Sequence, residues 1–395
     1  MIVHPHLFAG GAEKAIIFLS QYLRRMGNDV TVATLSIDSS VIGFACQDLS
    51  FVVPRKQLVN KNNGTLCSTL PCMLRELLGL GTFIGELWRN FDVCVAGNFP
   101  AYWAVSRLCS HMPVVWLCSE VLQPINVTRD SYERNYLFRL LFEVAATVDK
   151  FVVQRYVHEI IACSEFCRDM VKQRYGRTAH VAYTGVDYDF FNSRLDVDAV
   201  RKKFNLEKNF VLLHVGFMVK RKSQLLSLRA VGKLLNEMPD LKLVFVGGGP
   251  YKPIIKKEAE RLGLGENVVF AGTVDEQTLR ALYYACDLNL YPSFDQTFGL
   301  VPFEALVCGK VSVVSNCAGA ARVLKAADAA VIINPSVEEI VRAIRLIRAG
   351  AVDLEGMVRR GKYLVKKHFT WEVYGSLVAE ILERSFERFV TGRSV

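Results

Sequence analysis

The feature that most constrains this chain of 395 residues is an alternation of short apolar runs with helix-length amphipathic segments, repeated along its whole length. In the first half the runs are Val30–Ala33, Asp92–Ala96, Val114–Cys118 and Ile160–Cys163. In the second half they are Phe210–Val215, Leu243–Val246, Val268–Phe270, Leu288–Tyr291 and Val311–Val314. Each is bounded by polar or turn residues and lacks strict in-out alternation, as expected of strands buried on both faces. Between them apolar residues recur at helical spacing, as in Ile16, Leu19, Tyr22, Leu23 and Met26, with Gly27 as the stop. Strand and helix in alternation specify a parallel sheet covered by helices on both faces. A chain of this length exceeds one ordinary core, so the pattern predicts two Rossmann-like, doubly wound domains facing across a ligand-binding cleft. The junction is expected near Thr184-Gly185-Val186-Asp187, which separates residues 1–183 from residues 184–370.

Composition narrows the class. Hydrophobic residues make up 51% and charged residues 22%, enough apolar surface for each half to bury its own core, which excludes disorder. Eleven cysteines are scattered singly, and the nearest pairs, Cys67 with Cys72 and Cys163 with Cys167, lack the spacing of zinc or redox sites. They read as buried thiols of a reducing compartment, and no metal site is expected. The start Met1-Ile2-Val3-His4-Pro5 has no basic segment leading into an apolar one, so no signal peptide is expected and the location is cytoplasmic. The first strand, Met1 to His4, is shorter than usual, which would fit a natural start farther upstream. The longest apolar stretch, Tyr136–Val153, is interrupted by Arg139, Glu143, Asp149 and Lys150 and cannot span a bilayer. A net charge of +9 favours polyanionic partners: nucleic acid, an anionic membrane surface or phosphorylated ligands. Basic residues are dispersed and no recognition motif accompanies them, which argues against nucleic acid.

Four segments carry chemistry. Gly10-Gly11-Ala12-Glu13 joins the first strand to the first helix, where glycine admits a close ligand and free amides favour anions; taken alone it is a tight turn. Lys220-Arg221-Lys222 follows the strand ending at Val215-Gly216 and puts three cations at the carboxyl edge of a sheet, suited to a diphosphate, although a solvated charge run has the same look. Val246-Gly247-Gly248-Gly249-Pro250 is not G-x-G-x-x-G and reads as a turn that shapes the cleft. The sharpest is Pro292 to Leu306, a loop entering a helix. There the amides around Phe298-Gly299-Leu300 would point toward phosphate or sugar oxygens, and Glu304, one turn further on, could accept two hydroxyl hydrogen bonds from a ribose diol. As structure alone Glu304 would be a surface residue, an awkward reading inside so apolar a stretch.

Taken in order, these segments resemble glycosyltransferase family 4, retaining enzymes of the GT-B fold, and the resemblance runs over nearly the whole chain. Gly10-Gly11-Ala12-Glu13 is similar to the family's opening turn, Ala162-Cys163-Ser164-Glu165-Phe166 to its A-x-S-E-F segment, and Tyr183-Thr184-Gly185-Val186-Asp187 to its domain-joining Y-P-G-V-D. Gln296 to Glu304 resembles the signature E-x7-E. The resemblance implies a donor site for a UDP- or GDP-linked sugar, with no prosthetic group. Glu304 would bind the ribose, Gln296 the transferred sugar, and the backbone of Phe298, Gly299 and Leu300 the sugar and phosphates. Lys222, after Gly216, would hold the diphosphate, and Gly272-Thr273-Val274 would read the base. On this reading Gln296, Glu304 and Lys222 are the catalytic set. Gly11 lies near the cleft, and Gly10, Gly11, Ser119 and Glu120 stand on the acceptor side. Residues 371–395 would form a C-terminal helix returning to the first domain.

Three customary polar groups are changed: Gln296 replaces the first acid, Phe217 the diphosphate arginine, and Ser119 a frequent histidine. A glutamine amide still bonds sugar hydroxyls, whereas phenylalanine cannot bind phosphate, and Arg221 is the nearest guanidinium to take over. No residue presents itself as a nucleophile, which fits front-face attack with the leaving phosphate, stabilised by cations and amides, assisting deprotonation. The acceptor is expected to be a glycan or a lipid-linked acceptor. Ser68–Trp88, with Leu70, Met73, Leu74, Leu77, Leu78, Phe83 and Leu87 flanked by Arg75 and Arg89, would suit peripheral contact with an anionic membrane or ordinary core packing. The competing reading of the three changes is a catalytically degenerate GT-B protein acting as a non-catalytic partner.

Overall fold

The computed structural model describes residues 1–8, 10–38, 49–54, 70–121, 136–193 and 195–392. The chain divides into two compact units, Met1–Thr184 with Trp371–Val395, and Gly185–Thr370.

The first unit opens with β1 (Ile2–Val3) and β2 (His6–Leu7), then α1 (Gly11–Arg25), β3 (Thr31–Ala33), β4 (Ser36–Ile37) and β5 (Ser50–Val52). It continues through α2 (Leu70–Leu87), β6 (Cys94–Ala96), α3 (Ala101–Ala104), β7 (Val114–Cys118), α4 (Tyr136–Tyr156), β8 (Glu159–Ala162), α5 (Glu165–Tyr175) and β9 (His180–Val181). Seven strands form one parallel sheet in the order β5-β3-β1-β6-β7-β8-β9, and β2 pairs with β4 apart from it. The sequence runs predicted as strands are in this sheet, each wholly buried in its centre, as a sheet covered on both faces requires.

Helix α4 buries one of its charges. Asp149, counted in the sequence among the charges that break its apolar stretch, has no exposed surface. Its carboxylate accepts hydrogen bonds from Tyr102 Oη at 2.7 Å, Trp103 Nε1 at 2.8 Å and Tyr175 Oη at 2.6 Å. A buried carboxylate is tolerable only when its lone pairs are filled in this way. The opposite face of α4 exposes Leu140, Val144, Val148 and Phe151.

The second unit runs α6 (Tyr188–Asn192), α7 (Asp198–Lys203), β10 (Phe210–Val215), α8 (Gln224–Leu234), β11 (Leu241–Val246), α9 (Lys252–Arg261), β12 (Val268–Gly272), α10 (Glu276–Ala285) and β13 (Leu288–Tyr291). It ends with α11 (Val301–Val307), β14 (Ser312–Ser315), α12 (Gly319–Ala326), β15 (Val331–Ile333), α13 (Val337–Arg348) and α14 (Leu354–His368). Its sheet is parallel throughout, in the order β12-β11-β10-β13-β14-β15. Leu212, Leu243, Leu290 and Val313 from four strands bury against Leu228, Ile255 and Ile344 from the covering helices. The last helix, α15 (Trp371–Gly392), belongs to the first unit, where Trp371 stacks on Phe18 at 4.4 Å between centroids.

The cysteines need one correction. Cys94, Cys118, Cys163, Cys167, Cys286 and Cys308 are buried free thiols, but Cys109 and Cys317 are half-exposed; Cys67 lies outside the described residues, as does Ser68 of the apolar segment before Trp88. No described helix is long and apolar enough to cross a membrane.

Candidate active site

Strand order locates the site in the second unit. From β10 the chain first adds strands on one side, then returns to place β13 on the other. The loops leaving β10 and β13 therefore diverge from neighbouring strands at one edge of the sheet and open a crevice between them, the place where doubly wound sheets bind ligands.

The first loop passes Gly216 and half-exposed Phe217 into a single 3₁₀ turn, Lys220–Lys222. The second runs from Pro292 to Leu300. Phe294 N–H donates to the Arg221 carbonyl at 2.8 Å and ties the two together. Lys222 Nζ donates to Gln296 Oε1 at 2.5 Å and stands 3.5 Å from Tyr291 Oη, with the ammonium 5.3 Å from that ring's centroid. Burial pushes the Tyr291 phenol up, Arg221 opposes that and Glu304 adds to it, so both charges reach this point of the site. The phenol stays protonated. Beneath the loop, at the end of β10, burial and then the Lys222 charge lower His214 to about 3, so its imidazole is neutral.

Two glycines allow the second loop its path. Gly299 has φ +107°, and a Cβ there would overlap the Tyr291 hydroxyl. Gly319, at the start of α12, donates its N–H to the Gln296 carbonyl at 2.7 Å, so close that a Cβ would overlap the Thr297 carbonyl. Phe298 stacks on Phe303 at 5.0 Å and on Phe369 at 5.8 Å, which fixes the loop from below. Among the described residues the amides of Gly299 and Leu300 meet no carbonyl, so they remain as donors at the mouth of α11.

Glu304 is the one acid in the α11 sequence Val-Pro-Phe-Glu-Ala-Leu-Val, and that helix is buried from Pro302 onward. The surface reading is therefore excluded: Glu304 is 8% exposed and accepts a 2.7 Å hydrogen bond from Tyr283 Oη on α10. Burial first, and then the adjacent Glu304 charge, raise the Tyr283 phenol well above its ordinary value, so it acts as a fixed donor. Gly272 ends β12, two strands from β10, and Val274 follows it; the Gly272 carbonyl accepts from Gly247 N–H at 2.8 Å. The structure thus gathers Gly216, Arg221, Lys222, Gln296, Phe298, Gly299 and Leu300 at one sheet edge, with Glu304 adjoining.

The remaining candidates belong to the first unit, at the corresponding reversal of strand order between β1 and β6. Gly10 caps α1 with no side-chain bond, and Gly11 is exposed at its first turn. Asn98 Oδ1 accepts from the amides of Ser119 at 3.2 Å and Glu120 at 3.3 Å, which holds the end of β7. A hollow of about 10 Å³, the size of one water, lies among His4, Gly97, Asn98 and Ser119. His4 Nε2 is 3.4 Å from Glu13 Oε1.

Tyr283, Tyr291 and His4 were not singled out in the sequence. Tyrosine at the end of a strand or inside an amphipathic helix is ordinary core material. Its partner here lies 21 residues away for Tyr283 and 69 for Tyr291, which no local pattern reveals. Among the described residues no three His, Cys, Asp or Glu side chains gather as metal ligands.

Two family profiles match the chain: "Glycosyltransferase Family 4" over residues 9–190 and "Glycosyl transferases group 1" over residues 196–362. A GDP-mannose-dependent alpha-(1-6)-phosphatidylinositol monomannoside mannosyltransferase of Mycolicibacterium smegmatis is 28% identical over 55% of this chain and 60% of its own length, so the match spans little more than half of that relative. The alpha-1,3/1,6-mannosyltransferase ALG2 of Dictyostelium discoideum is 21% identical over 97% of both chains. Among solved structures, HepE of Anabaena in complex with UDP-glucose superposes with a TM-score of 0.78 at 19% identity, over 97% of this chain and 98% of that one. WaaG, a glycosyltransferase involved in lipopolysaccharide biosynthesis, does so with a TM-score of 0.75 at 18% identity, over 96% and 98%. At these identities the structures establish the fold, which is GT-B.

Proposed function

The chain belongs to glycosyltransferase family 4, and from that premise we propose that it moves a sugar from a nucleotide-diphosphate sugar to a glycan or lipid-linked acceptor, with retention at the anomeric carbon. The observation that carries this reading is the meeting of Lys222, Gln296 and the open amides of Gly299 and Leu300 where β10 and β13 diverge. A cation and a row of N–H donors at that edge suit a diphosphate.

Each residue then has a task. Glu304, with Oε2 anchored by Tyr283, accepts from the ribose hydroxyls. Lys222, Arg221 and the loop amides stabilise the charge that develops on the leaving diphosphate. The amide of Gln296 faces the transferred sugar, Phe298 holds the loop in place, and the backbone at Gly272 and Val274 reads the base. Gly10, Gly11, Ser119 and Glu120 serve the acceptor. The donors named in the relatives, GDP-mannose and UDP-glucose, define the pair of nucleotides to try first.

Lipid-linked acceptors are supported by the surface of the first unit. Helices α2 and α4 both border α3, and between them they expose Leu74, Leu78, Leu140, Val144, Val148 and Phe151. Several large apolar side chains on two neighbouring helices exceed ordinary surface scatter. Exposed Arg75, Arg89, Arg107, Lys150 and Arg155 lie on the same elements and their flanks, as at an anionic lipid interface, which supports work at the cytoplasmic face of a membrane.

Retention is tested on the product. With an α-linked UDP- or GDP-sugar, proton NMR of the transfer product should show an α-glycosidic linkage to the acceptor; a β-linkage would contradict the assignment.

A further inference from the structure

The structure assigns Gln296 a second task, and we infer that it is a positioning residue for Lys222: its neutral carboxamide holds the ammonium beside the donor diphosphate without cancelling its charge. This rests on the reading above that the second unit binds a nucleotide-diphosphate sugar.

The polarity of the contact is fixed by chemistry. A lysine ammonium has protons to give and no lone pair, so the amide must turn its oxygen toward Nζ, 2.5 Å away. The amide nitrogen is then forced to the other side. Gln296 is 8% exposed, and its Nε2 is buried there with no hydrogen-bond partner. Left to folding energetics alone, glutamate would serve better at this position. It would bind Lys222 through a stronger, charge-assisted pair and leave no orphaned donor behind. Glutamine differs from glutamate in the respect that matters here: it brings no negative charge to the lysine.

The neighbouring position explains why the charge matters. The backbone at Gly216 lies against the Lys222 stem, and an added Cβ would stand 3.6 Å from Lys222 Cδ. The next residue, Phe217, is 49% exposed and carries no charge. On this flank of the loop the positive potential comes from Lys222, with Lys220 and Arg221 beside it in the same turn. A carboxylate at 296 would pair with that ammonium and lower the potential offered to phosphate. Gln296 and Phe217 thus form a balanced pair, one lacking an anion and the other lacking a cation.

Calorimetric titration of UDP and GDP into wild type, Gln296→Glu, Phe217→Arg and the double variant, at low and high salt, tests this. For whichever nucleotide wild type binds, Gln296→Glu should weaken binding about tenfold, ~1.4 kcal/mol. Its salt dependence should become shallower, and adding Phe217→Arg should restore most of the loss. Thermal melting of each variant establishes that all are folded. Equal or tighter binding by Gln296→Glu would overturn the inference, as would a loss that Phe217→Arg does not relieve, since a merely structural role predicts no such rescue. If wild type binds neither nucleotide, the transferase reading itself falls, and this inference with it.

Discussion

At the scale of single residues, the proposed donor site rests on pairs in which one partner fixes the other. Glu304 and Lys222 are the groups expected to meet the ligand, yet each is held by a tyrosine: Glu304 by Tyr283 and Lys222 by Tyr291, together with Gln296. Removing the Tyr283 hydroxyl frees the carboxylate to rotate and strips it of a buried donor, and a bond to a charged group contributes ~1.5–3 kcal/mol. Tyr283→Phe should therefore weaken nucleotide binding by roughly tenfold or more in a calorimetric titration. An unchanged affinity would remove Tyr283 from the site. The charged and glycine-bearing positions were legible because their types are unusual in their surroundings: an acid in an apolar helix, three cations after a buried strand. Both tyrosines were invisible because an aromatic in such places is what core packing alone would supply.

Among the elements, legibility follows burial. Phe210–Val215 and Val114–Cys118 were read from the sequence with their observed bounds, since strands covered on both faces are predominantly apolar; His214 alone departs from that in the first. Strand β11 begins at Leu241, two residues before the sequence run, because Lys242 lies inside it with its Nζ donating to the Asn205 carbonyl. Two-residue strands such as β2 and β4 were missed; a pairing of His6 with Ser36 has no apolar signature. The burial of Asp149 in α4 was illegible for a related reason, since the three donors that satisfy it come from elsewhere in the chain. Strand β10 also carries a pH response. Its buried His214 is lowered from 6.5 to about 3. Below pH 6.5 the unfolded chain takes up a proton that the folded chain refuses, so stability falls as pH drops from 6.5 toward 3. His214 Nδ1 lies 2.9 Å from Ser227 Oγ, and in His214→Gln, which keeps a hydrogen-bonding group for that hydroxyl, the melting temperature should decline less steeply over that interval. An identical slope in the two proteins would show that His214 does not couple folding to protons.

For the whole molecule, the alternation of strand and helix announced the parallel sheets, and the order in which strands join each sheet decided where ligands can sit. That order is set by long-range pairing and was not readable, although the residues leaving β10 and β13 were. The exposed apolar side chains of α2 and α4 should bind the protein to anionic vesicles. Flotation with phosphatidylglycerol-containing liposomes should carry wild type upward, and Val144→Asp with Phe151→Asp should leave most of it in solution; equal flotation of both would exclude this surface as the contact. The central claim is that a nucleotide sugar binds in the second unit through Glu304. It is tested most directly by titrating UDP-, GDP- and ADP-sugars into wild type and Glu304→Ala, followed by assay for sugar release. Binding of one nucleotide class with slow hydrolysis, both lost in Glu304→Ala while the melting temperature holds, is the expected result. No binding by wild type, or full binding and turnover by Glu304→Ala, would contradict it.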